Sequence, residues 1–284
     1  MPPDVKAFYD EPTGSIQYVV TDPASPHCAI IDPVLDFDRN AGRFTTRNAD
    51  AILEHVRRNG LFVDWILDTH PHADHMSAAR YLHGKTGAPT AIGAEVTAVQ
   101  EIWRERYDLP ELMTDGRQWS RLLDDGDTLK IGGLDLRVTP APGHTLASVI
   151  YCVDDAAFIN DTMFMPDSGT ARTDFPGGSA EDLWRTISRI RDFPADTRLF
   201  TGHDYRPKGR EVAFESTLAL QEANIHLAGR GREQFLEERR ARDRTLPLPN
   251  LMLMALQVNL DGGRWPEADN FGRRFLKVPV EIGW

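Results

Sequence analysis

The chain carries the stretch Thr69-His70-Pro71-His72-Ala73-Asp74-His75 just after a short apolar run at residues 62–67. The apolar run predicts a buried strand, so the stretch lies where a strand ends and a loop begins. Loops held by rigid strands are a common place for metal sites. Four side chains of the stretch are of metal-binding types, and they belong to His70, His72, Asp74 and His75. The sequence therefore predicts a metal centre at this strand end.

The composition indicates a globular protein with an excess of acidic residues. The chain has 284 residues, 41% of them hydrophobic, which is enough for a full core in one large domain or in one domain with an extension. Its formal net charge of -11 disfavours nucleic acid and anionic lipid as main partners. The two cysteines, Cys28 and Cys152, lie in apolar strand-like runs, so neither a disulfide framework nor a cysteine-based zinc site is expected.

The first residues of the chain lack the pattern of an export signal. Residues 1–6 contain neither a cationic segment nor an apolar one, and no apolar run in the sequence approaches the 18 residues of a membrane span. We therefore expect a soluble protein of the cytoplasm that does not bind membranes.

Strand and helix patterns alternate through the first 200 residues. Two strands joined by a turn at residues 22–26 precede predicted helices at 48–59, 76–85 and 94–107. Further on, hairpins at 128–138 and 149–159 precede a helix that a capping box at Ser179 opens, and then a strand at 198–201. This mixture predicts an α/β fold with two mixed sheets covered by helices.

The pattern changes at about Arg210. From there we expect no more strands but helices at 212–227, 233–242 and 251–256, which divides the chain into a catalytic core at 1–209 and a helical extension at 210–284 packed on that core. The last predicted helix carries the apolar residues Leu251, Met252, Met254 and Leu256. We expect these residues to pack within the chain, and the alternative is that they contact a second subunit in a homo-oligomer.

Three further candidate ligands follow or end predicted strands. His144 lies in Pro142-Gly143-His144-Thr145, Asp161 in Asn160-Asp161-Thr162, and His203 in Gly202-His203-Asp204-Tyr205. Since one loop cannot close a metal site by itself, we expect these strand ends to complete the centre.

The stretch at residues 69–75 resembles the T-H-x-H-x-D-H signature of the metallo-β-lactamase superfamily, and the resemblance extends from about Tyr18 to Tyr205. It implies an αβ/βα four-layer sandwich with the metal site at one edge. In the binuclear zinc members of this family, the matching residues imply one ion held by His70, His72 and His144, and a second ion held by Asp74, His75 and His203, with Asp161 as the bridge. This ligand set favours a two-metal hydrolase of esters or thioesters.

A different metal fits the same residues. Two histidines and one carboxylate make the facial triad of non-haem Fe(II) oxygenases, and His70, His144 and Asp161 would supply it. Three positions around the iron would then remain for a thiolate-type substrate and dioxygen. The remaining candidates would orient imidazoles or hinder a second ion instead of binding iron, and they are His72, Asp74, His75 and His203.

The segment Ala171-Arg172-Thr173-Asp174-Phe175 resembles the R-T-D-F segment of the persulfide dioxygenases, also called sulfur dioxygenases or ETHE1-like proteins. Residues 31–34 and 203–205 also resemble this group, and residues 247–249 and 257–259 resemble its bacterial Blh-type branch. The chain departs from some members in having Thr170 where they carry a cysteine, so no role for that thiol is transferred. Its long C-terminal helices also differ from the shorter eukaryotic members.

These resemblances imply an Fe(II)-dependent persulfide dioxygenase, with one iron per chain, that oxidises glutathione persulfide or a similar small persulfide with O2 to sulfite and thiol. The alternative is a binuclear zinc thioester hydrolase of the glyoxalase II type, with two Zn. A persulfide sensor without turnover is a third hypothesis. We expect Arg172 and Tyr205 to contact substrate, with Thr69 and Asp174 supporting the site, although Arg172 and Asp174 are also spaced to form a structural pair.

Overall fold

The structure is a computed structural model, and it describes residues 1–280. Two six-stranded sheets form its centre. The first has the spatial order β1 (Asp4–Asp10), β2 (Ser15–Thr21), β3 (His27–Ile31), β6 (Phe62–Leu67), β8 (Thr90–Gly93) and β9 (Arg121–Leu123). The second has the order β10 (Thr128–Ile131), β11 (Leu134–Pro140), β12 (Val149–Val153), β13 (Ala156–Asn160), β14 (Arg198–Thr201) and β15 (Glu215–Thr217). A small third sheet has the order β5 (Arg43–Thr45), β4 (Val34–Asp38) and β7 (Met76–Ser77).

Both large sheets are mixed, as the hairpins and strand–helix units predict. In the first sheet, β1, β2 and β3 pair antiparallel, whereas β3, β6, β8 and β9 pair parallel. In the second sheet, only the pair of β13 and β14 is parallel. The inner faces of the two sheets pack on each other through a buried aromatic cluster of Tyr18, Phe158 and Phe200.

In the described part of the chain, seven α-helices cover the sheets, and they are α1 (Arg47–Arg58), α2 (Ala79–Thr86), α3 (Val96–Arg106), α4 (Ala180–Ile190), α5 (Leu218–Gln221), α6 (Arg232–Asp243) and α7 (Met252–Asn259). Helices α1, α2 and α7 pack on the outer face of the first sheet, and α4 and α6 on that of the second. The predicted αβ/βα four-layer sandwich is therefore confirmed. Within residues 1–280, every helix is too short or too polar to cross a membrane bilayer.

Local signals place several helix ends correctly. Ser179 caps α4, because its side chain accepts a hydrogen bond from the backbone N–H of Asp182 at 3.1 Å. The return bond of the predicted capping box is replaced, since the backbone N–H of Ser179 donates to the carbonyl of Gly143 at 2.8 Å. Helix α2 ends at Gly87, whose φ of 74° lies in the left-handed region that glycine adopts without strain. The predicted start of α2 at Met76 is wrong, since Met76 and Ser77 pair with β4 and the helix begins only at Ala79.

The prediction that strands stop at about Arg210 is wrong. Strand β15 pairs antiparallel with β14, with Thr217 opposite Arg198, and it lies inside the stretch predicted as a helix at 212–227. Only the short helix α5 remains of that prediction. The free edge of β14 offers backbone hydrogen bonds to this segment, and such tertiary pairing overrides a weak local helix pattern. The edge strand β1 likewise escaped prediction.

The last predicted helix, at residues 251–256, is observed as α7, and its apolar residues pack within the chain. Leu251 and Ala255 join the cluster beneath α1 and α2, while Met252 and Leu256 join the cluster around α3. Met254 is half-buried against the first of these clusters. Core packing therefore accounts for this apolar face.

Candidate metal centre

The seven predicted ligands converge at one end of the sandwich, because each lies after the end of a strand in one of the two large sheets. The loop at residues 70–75 follows β6, His144 follows β11, Asp161 follows β13 and His203 follows β14. Three overlapping groups of ligand atoms lie close enough to share an ion, and they are His70, His144 and Asp161; His72, Asp74 and His75; and Asp74, Asp161 and His203. The structure thus brings all seven side chains together.

Asp161 joins two of these groups through one carboxylate oxygen. Its Oδ2 atom lies 3.9 Å from Nε2 of His70, 3.7 Å from Nε2 of His144 and 3.4 Å from Nε2 of His203. Nε2 of His203 also lies 3.3 Å from Oδ2 of Asp74. Asp161 therefore has the position that a shared or bridging carboxylate needs.

The buried carboxylate of Asp32 orients two histidines. It accepts a hydrogen bond at 2.9 Å from Nε2 of His72, which leaves Nδ1 of that ring as the nitrogen with a lone pair. It also accepts at 2.8 Å from the hydroxyl of Thr69, whose oxygen in turn accepts at 3.0 Å from Nδ1 of His70. Nε2 of His70 then keeps the lone pair that a metal ion would need. Thr69, predicted to support the site, does so by this relay.

His144 and His75 are oriented by other partners. Nδ1 of His144 donates to the backbone carbonyl of Arg172 at 2.9 Å, so Nε2 keeps its lone pair and faces Asp161. Nδ1 of His75 donates to Oδ2 of Asp74 at 3.0 Å, and the hydroxyl of Ser15 contributes a second hydrogen bond of 3.0 Å to the same oxygen. Asp74 is thus held by protein donors on the side facing Ser15.

Several buried atoms at the centre lack a hydrogen-bond partner among the described residues. They are Nε2 of His70, Nδ1 of His72, Nε2 of His75, Nδ1 of His203 and Oδ1 of Asp161. Leaving so many polar atoms unpaired in one buried place is costly, and native proteins rarely do so without a ligand. A metal ion would satisfy Nε2 of His70, which lies 3.9 Å from Oδ2 of Asp161, so the residues present fit the metal that their types predict.

The electrostatics of His70, His72 and Asp74 suit metal binding at neutral pH. Burial, and then the neighbouring imidazoles, hold the pKa of His70 and of His72 well below the ordinary value, so both rings are neutral and can coordinate. Burial alone would raise the pKa of Asp74, but His203 and His75 outweigh it and keep the pKa well below the usual range. Burial raises the pKa of Asp32 to about 6, which leaves this carboxyl mainly ionised at pH 7.

A cavity of about 1000 Å³ leads to the metal centre. Its floor includes His75, His144, Asp161 and His203, and β4 and β5 with their connecting loop form one wall. The C-terminal part of the chain also lines the cavity, through Arg239 and Arg242 on α6 and through residues 246–251. The C-terminal segment is therefore part of the site, and not only a support for the core.

Both predicted substrate contacts line this cavity. Arg172 uses Nε and Nη2 to bind the carboxylate of Asp174, at 2.7 and 2.8 Å, and Nη1 to bind the backbone carbonyl of Pro247 at 2.6 Å. Its guanidinium also stacks on Phe175, 4.6 Å from the ring centroid. The structural pair with Asp174 is present, while substrate binding by Arg172 stays a prediction.

Tyr205 is 57% exposed, and its ring stacks in parallel on His203 with centroids 5.5 Å apart. Its side chain lines the cavity beside His203. Contact between Tyr205 and substrate also stays a prediction.

Sequence reasoning missed four residues that organise the site, and they are Ser15, Asp32, Asp243 and Asn259. Asp32 gave one usable signal, since an acidic residue ends the apolar run at residues 28–31 and buried carboxylates need a partner. Asn259 lies in the segment 257–259 that resembles the Blh-type branch, but nothing in the sequence pointed to its contact with the metal loop, and Asp243 gave no signal, because their partners are 70 or more residues away in sequence.

The fold and the site define the class of protein. Residues 17–203 match the family model described as the metallo-beta-lactamase superfamily, and the chain belongs to this enzyme superfamily. It is 59% identical over 99% of its length to the Beta-lactamase hydrolase-like protein of Agrobacterium fabrum, and it spans 65% of that relative's length. It is 39% identical to Glyoxylase B2 of Dictyostelium discoideum, covering 97% of this chain and 96% of that protein.

A solved protein structure is also similar to this chain. The crystal structure of ETHE1 from Myxococcus xanthus superposes with a TM-score of 0.74 and 27% sequence identity, covering 92% of this chain and all of that one. The similarity thus includes most of the segment after Arg210.

Proposed function

We propose that this chain is an Fe(II)-dependent persulfide dioxygenase acting on glutathione persulfide or a related small persulfide. One observation carries the proposal: the ligand atoms of His70, His144 and Asp161 face one another in a buried group, and Nε2 of His70 has no partner among residues 1–280. Two imidazoles and one carboxylate in this arrangement are the ligand set of a non-haem iron oxygenase. The likeness to the ETHE1 structure and the segment at 171–175 support the same assignment.

The overall reaction would be RSSH + O2 + H2O → RSH + H2SO3. The outer sulfur of the persulfide loses four electrons, and dioxygen accepts them. Bound iron would supply the redox chemistry and coordinate the soft sulfur ligand. Thr69 and Asp32 keep Nε2 of His70 available, and the carbonyl of Arg172 does the same for His144. The cavity walls would enclose the rest of the substrate.

In this proposed enzyme, Asp74 would not bind a metal ion. Its Oδ2 atom accepts hydrogen bonds from Ser15 and His75 and lies beside His203, so protein donors already satisfy much of this carboxylate. A second ion would have to compete with these donors. This engagement favours one metal per chain, with the surrounding histidines orienting the iron ligands and excluding bulk water.

The experiment is oxygen uptake by protein loaded with Fe(II) under anaerobic conditions and then mixed with glutathione persulfide and dissolved O2. We expect uptake with one sulfite formed per O2, and about one iron per chain by elemental analysis. Zinc-loaded protein is the matched control and should consume no O2, because zinc has no redox chemistry. Uptake no greater than in the metal-free protein would refute the proposal.

A binuclear zinc thioester hydrolase is the second candidate. It is favoured by the group His72, Asp74 and His75 beside the shared carboxylate of Asp161, and by the similarity to Glyoxylase B2. In such an enzyme, two bound zinc ions would activate water for attack on the thioester. Hydrolysis of a glutathione thioester by protein with two zinc ions per chain, without oxygen uptake by the iron form, would establish this candidate instead. Persulfide binding without any product would favour a sensor.

A further inference from the structure

Asn259, the last residue of α7, is hydrogen-bonded to the metal-binding loop. Its Nδ2 atom donates to the backbone carbonyls of His72 and His75, at 2.7 and 2.8 Å. Its Oδ1 atom accepts from the backbone N–H of Ser77 at 2.8 Å. All three bonds are buried, and they use both amide hydrogens of one side chain that is only 3% exposed.

These bonds act on the part of the loop that carries ligands. The carbonyls of His72 and His75 are at the two ends of the segment that includes Asp74, so Asn259 fixes this segment at both ends. Residues 70–75 belong to neither helix nor strand, and their backbone therefore depends on bonds from elsewhere in the chain. Without the amide, two buried carbonyls would lack their donor.

Helix α7 is itself firmly held. Ala255 and Val258 pack beneath α1 and α2, and Met252 and Leu256 belong to the same buried cluster as Ala73 of the metal loop. The side chain of Gln100 on α3 donates to the carbonyl of Leu260 at 2.7 Å, directly after Asn259. The amide is thus presented by a rigid element, as a group that positions a metal site should be.

We infer that Asn259 is a positioning residue of the metal centre, and that metal binding and the docking of α7 stabilise each other. If the docked helix favours the ligand geometry, the bound metal must favour the docked helix to the same extent, because coupling between two equilibria is reciprocal. This inference holds for either metal and does not depend on the proposed dioxygenase activity.

The first test compares Asn259→Leu with Gln257→Leu. Gln257 is the matched control, since it is a buried amide on the same helix whose hydrogen bonds reach Leu253 and Lys277 and not the metal loop. The probe is Co2+, whose affinity is measured by competition with a chelator and whose visible absorption reports ligand geometry. We expect Asn259→Leu to weaken Co2+ binding about 10-fold or more and to change the spectrum, as loss of groups that orient ligands does elsewhere.

In the control variant Gln257→Leu, the affinity for Co2+ should stay within about twofold of that of the unmodified protein. This change is well below the one expected when groups that orient metal ligands are lost. Asn259→Asp keeps an acceptor for Ser77 but cannot donate to the two carbonyls, so it should behave like Asn259→Leu. Equal weakening in Gln257→Leu and Asn259→Leu, or no weakening in Asn259→Leu, would overturn the inference.

The second test uses the unmodified chain and so does not depend on the folding of a variant. Amide hydrogen exchange is followed with and without saturating Co2+. We expect exchange in α7 to slow with metal by a larger factor than exchange in α1, which donates no hydrogen bond to the metal loop among those of the described residues. Equal slowing of both helices, or none in α7, would contradict the coupling.

Discussion

Asp243, on helix α6, accepts hydrogen bonds from both the backbone N–H and the side-chain hydroxyl of Thr173, each at 2.9 Å. Thr173 directly follows Arg172, whose carbonyl accepts the hydrogen bond from Nδ1 of His144. Asp243 also pairs with the buried guanidinium of Arg239, which donates in addition to the carbonyl of Thr170. Helix α6 therefore holds the loop that orients one candidate metal ligand, as α7 holds the loop that carries four other candidates.

This arrangement predicts a large loss of stability in Asp243→Ala. The substitution removes both bonds to Thr173 and leaves the charge of Arg239 buried without its partner, which costs about 3–5 kcal/mol of unfolding free energy. Urea denaturation measures it. Glu237→Ala, on the exposed face of the same helix, is the control and should change stability by less than about 0.5 kcal/mol. A loss below about 1 kcal/mol in Asp243→Ala would contradict the role given to this pair.

We expect a substitution of Gly202 to affect the candidate metal centre directly. A Cβ atom at this position would collide with Oδ1 of Asp161 and approach the backbone of Asn160. We expect Gly202→Ala to displace the carboxylate and lower metal content at a fixed concentration of free metal, by elemental analysis. Gly84→Ala is the control, because its Cβ would meet nothing within 4 Å on the exposed side of α2, and it should stabilise the protein by about 0.5–1 kcal/mol. Unchanged metal content in Gly202→Ala would show that the carboxylate is not confined.

Tyr205 allows its ring and its hydroxyl to be tested separately. Tyr205→Phe keeps the ring stacked on His203 and removes only the hydroxyl. If that hydroxyl bonds the substrate, kcat/KM for glutathione persulfide should fall roughly 3- to 10-fold, the effect of one neutral hydrogen bond, with metal content unchanged. Steady-state oxygen uptake measures it. Unaltered kcat/KM in Tyr205→Phe would exclude a substrate hydrogen bond from the hydroxyl, and Tyr205→Ala would then test whether the ring contacts the substrate.

The lowered pKa of His226 predicts that the stability of the fold depends on pH. Burial, and then the nearby charges of Arg239 and Arg242, lower the pKa of this histidine from 6.5 to about 4, and its Nδ1 atom accepts a hydrogen bond from the backbone N–H of Thr170 at 2.8 Å. The unfolded chain binds the proton more readily than the folded chain. The contribution of neutral His226 is therefore complete above about pH 6.5 and is lost as the pH falls towards 4, by at most about 3 kcal/mol.

The measurement is the unfolding free energy between pH 4 and 7 for the unmodified protein and for His226→Gln. The difference between the two proteins should shrink as the pH falls, because glutamine does not titrate. Parallel pH profiles would show that His226 has no such linkage. Titration of the metal ligands is common to both proteins and cancels in the comparison.

The sequence predicted the layers of the fold and the seven candidate ligands that the structure brings together, because both depend on local patterns. Strand and helix periodicities, the capping box at Ser179 and the glycine after α2 act over a few residues. The edge strands β1 and β15 were not predicted, since a short edge strand forms only where another strand offers its backbone groups.

By itself, the sequence determined which side chains can bind metal and that they follow strand ends. Only the tertiary structure decided which nitrogen of His70, His72 and His144 faces the ion, through Asp32, Thr69 and the carbonyl of Arg172. It also made the C-terminal segment a wall of the cavity and a support of both ligand loops. The physical reason is distance along the chain: Asn259 bonds the carbonyl of His72 across 187 residues, and no local pattern encodes such a contact.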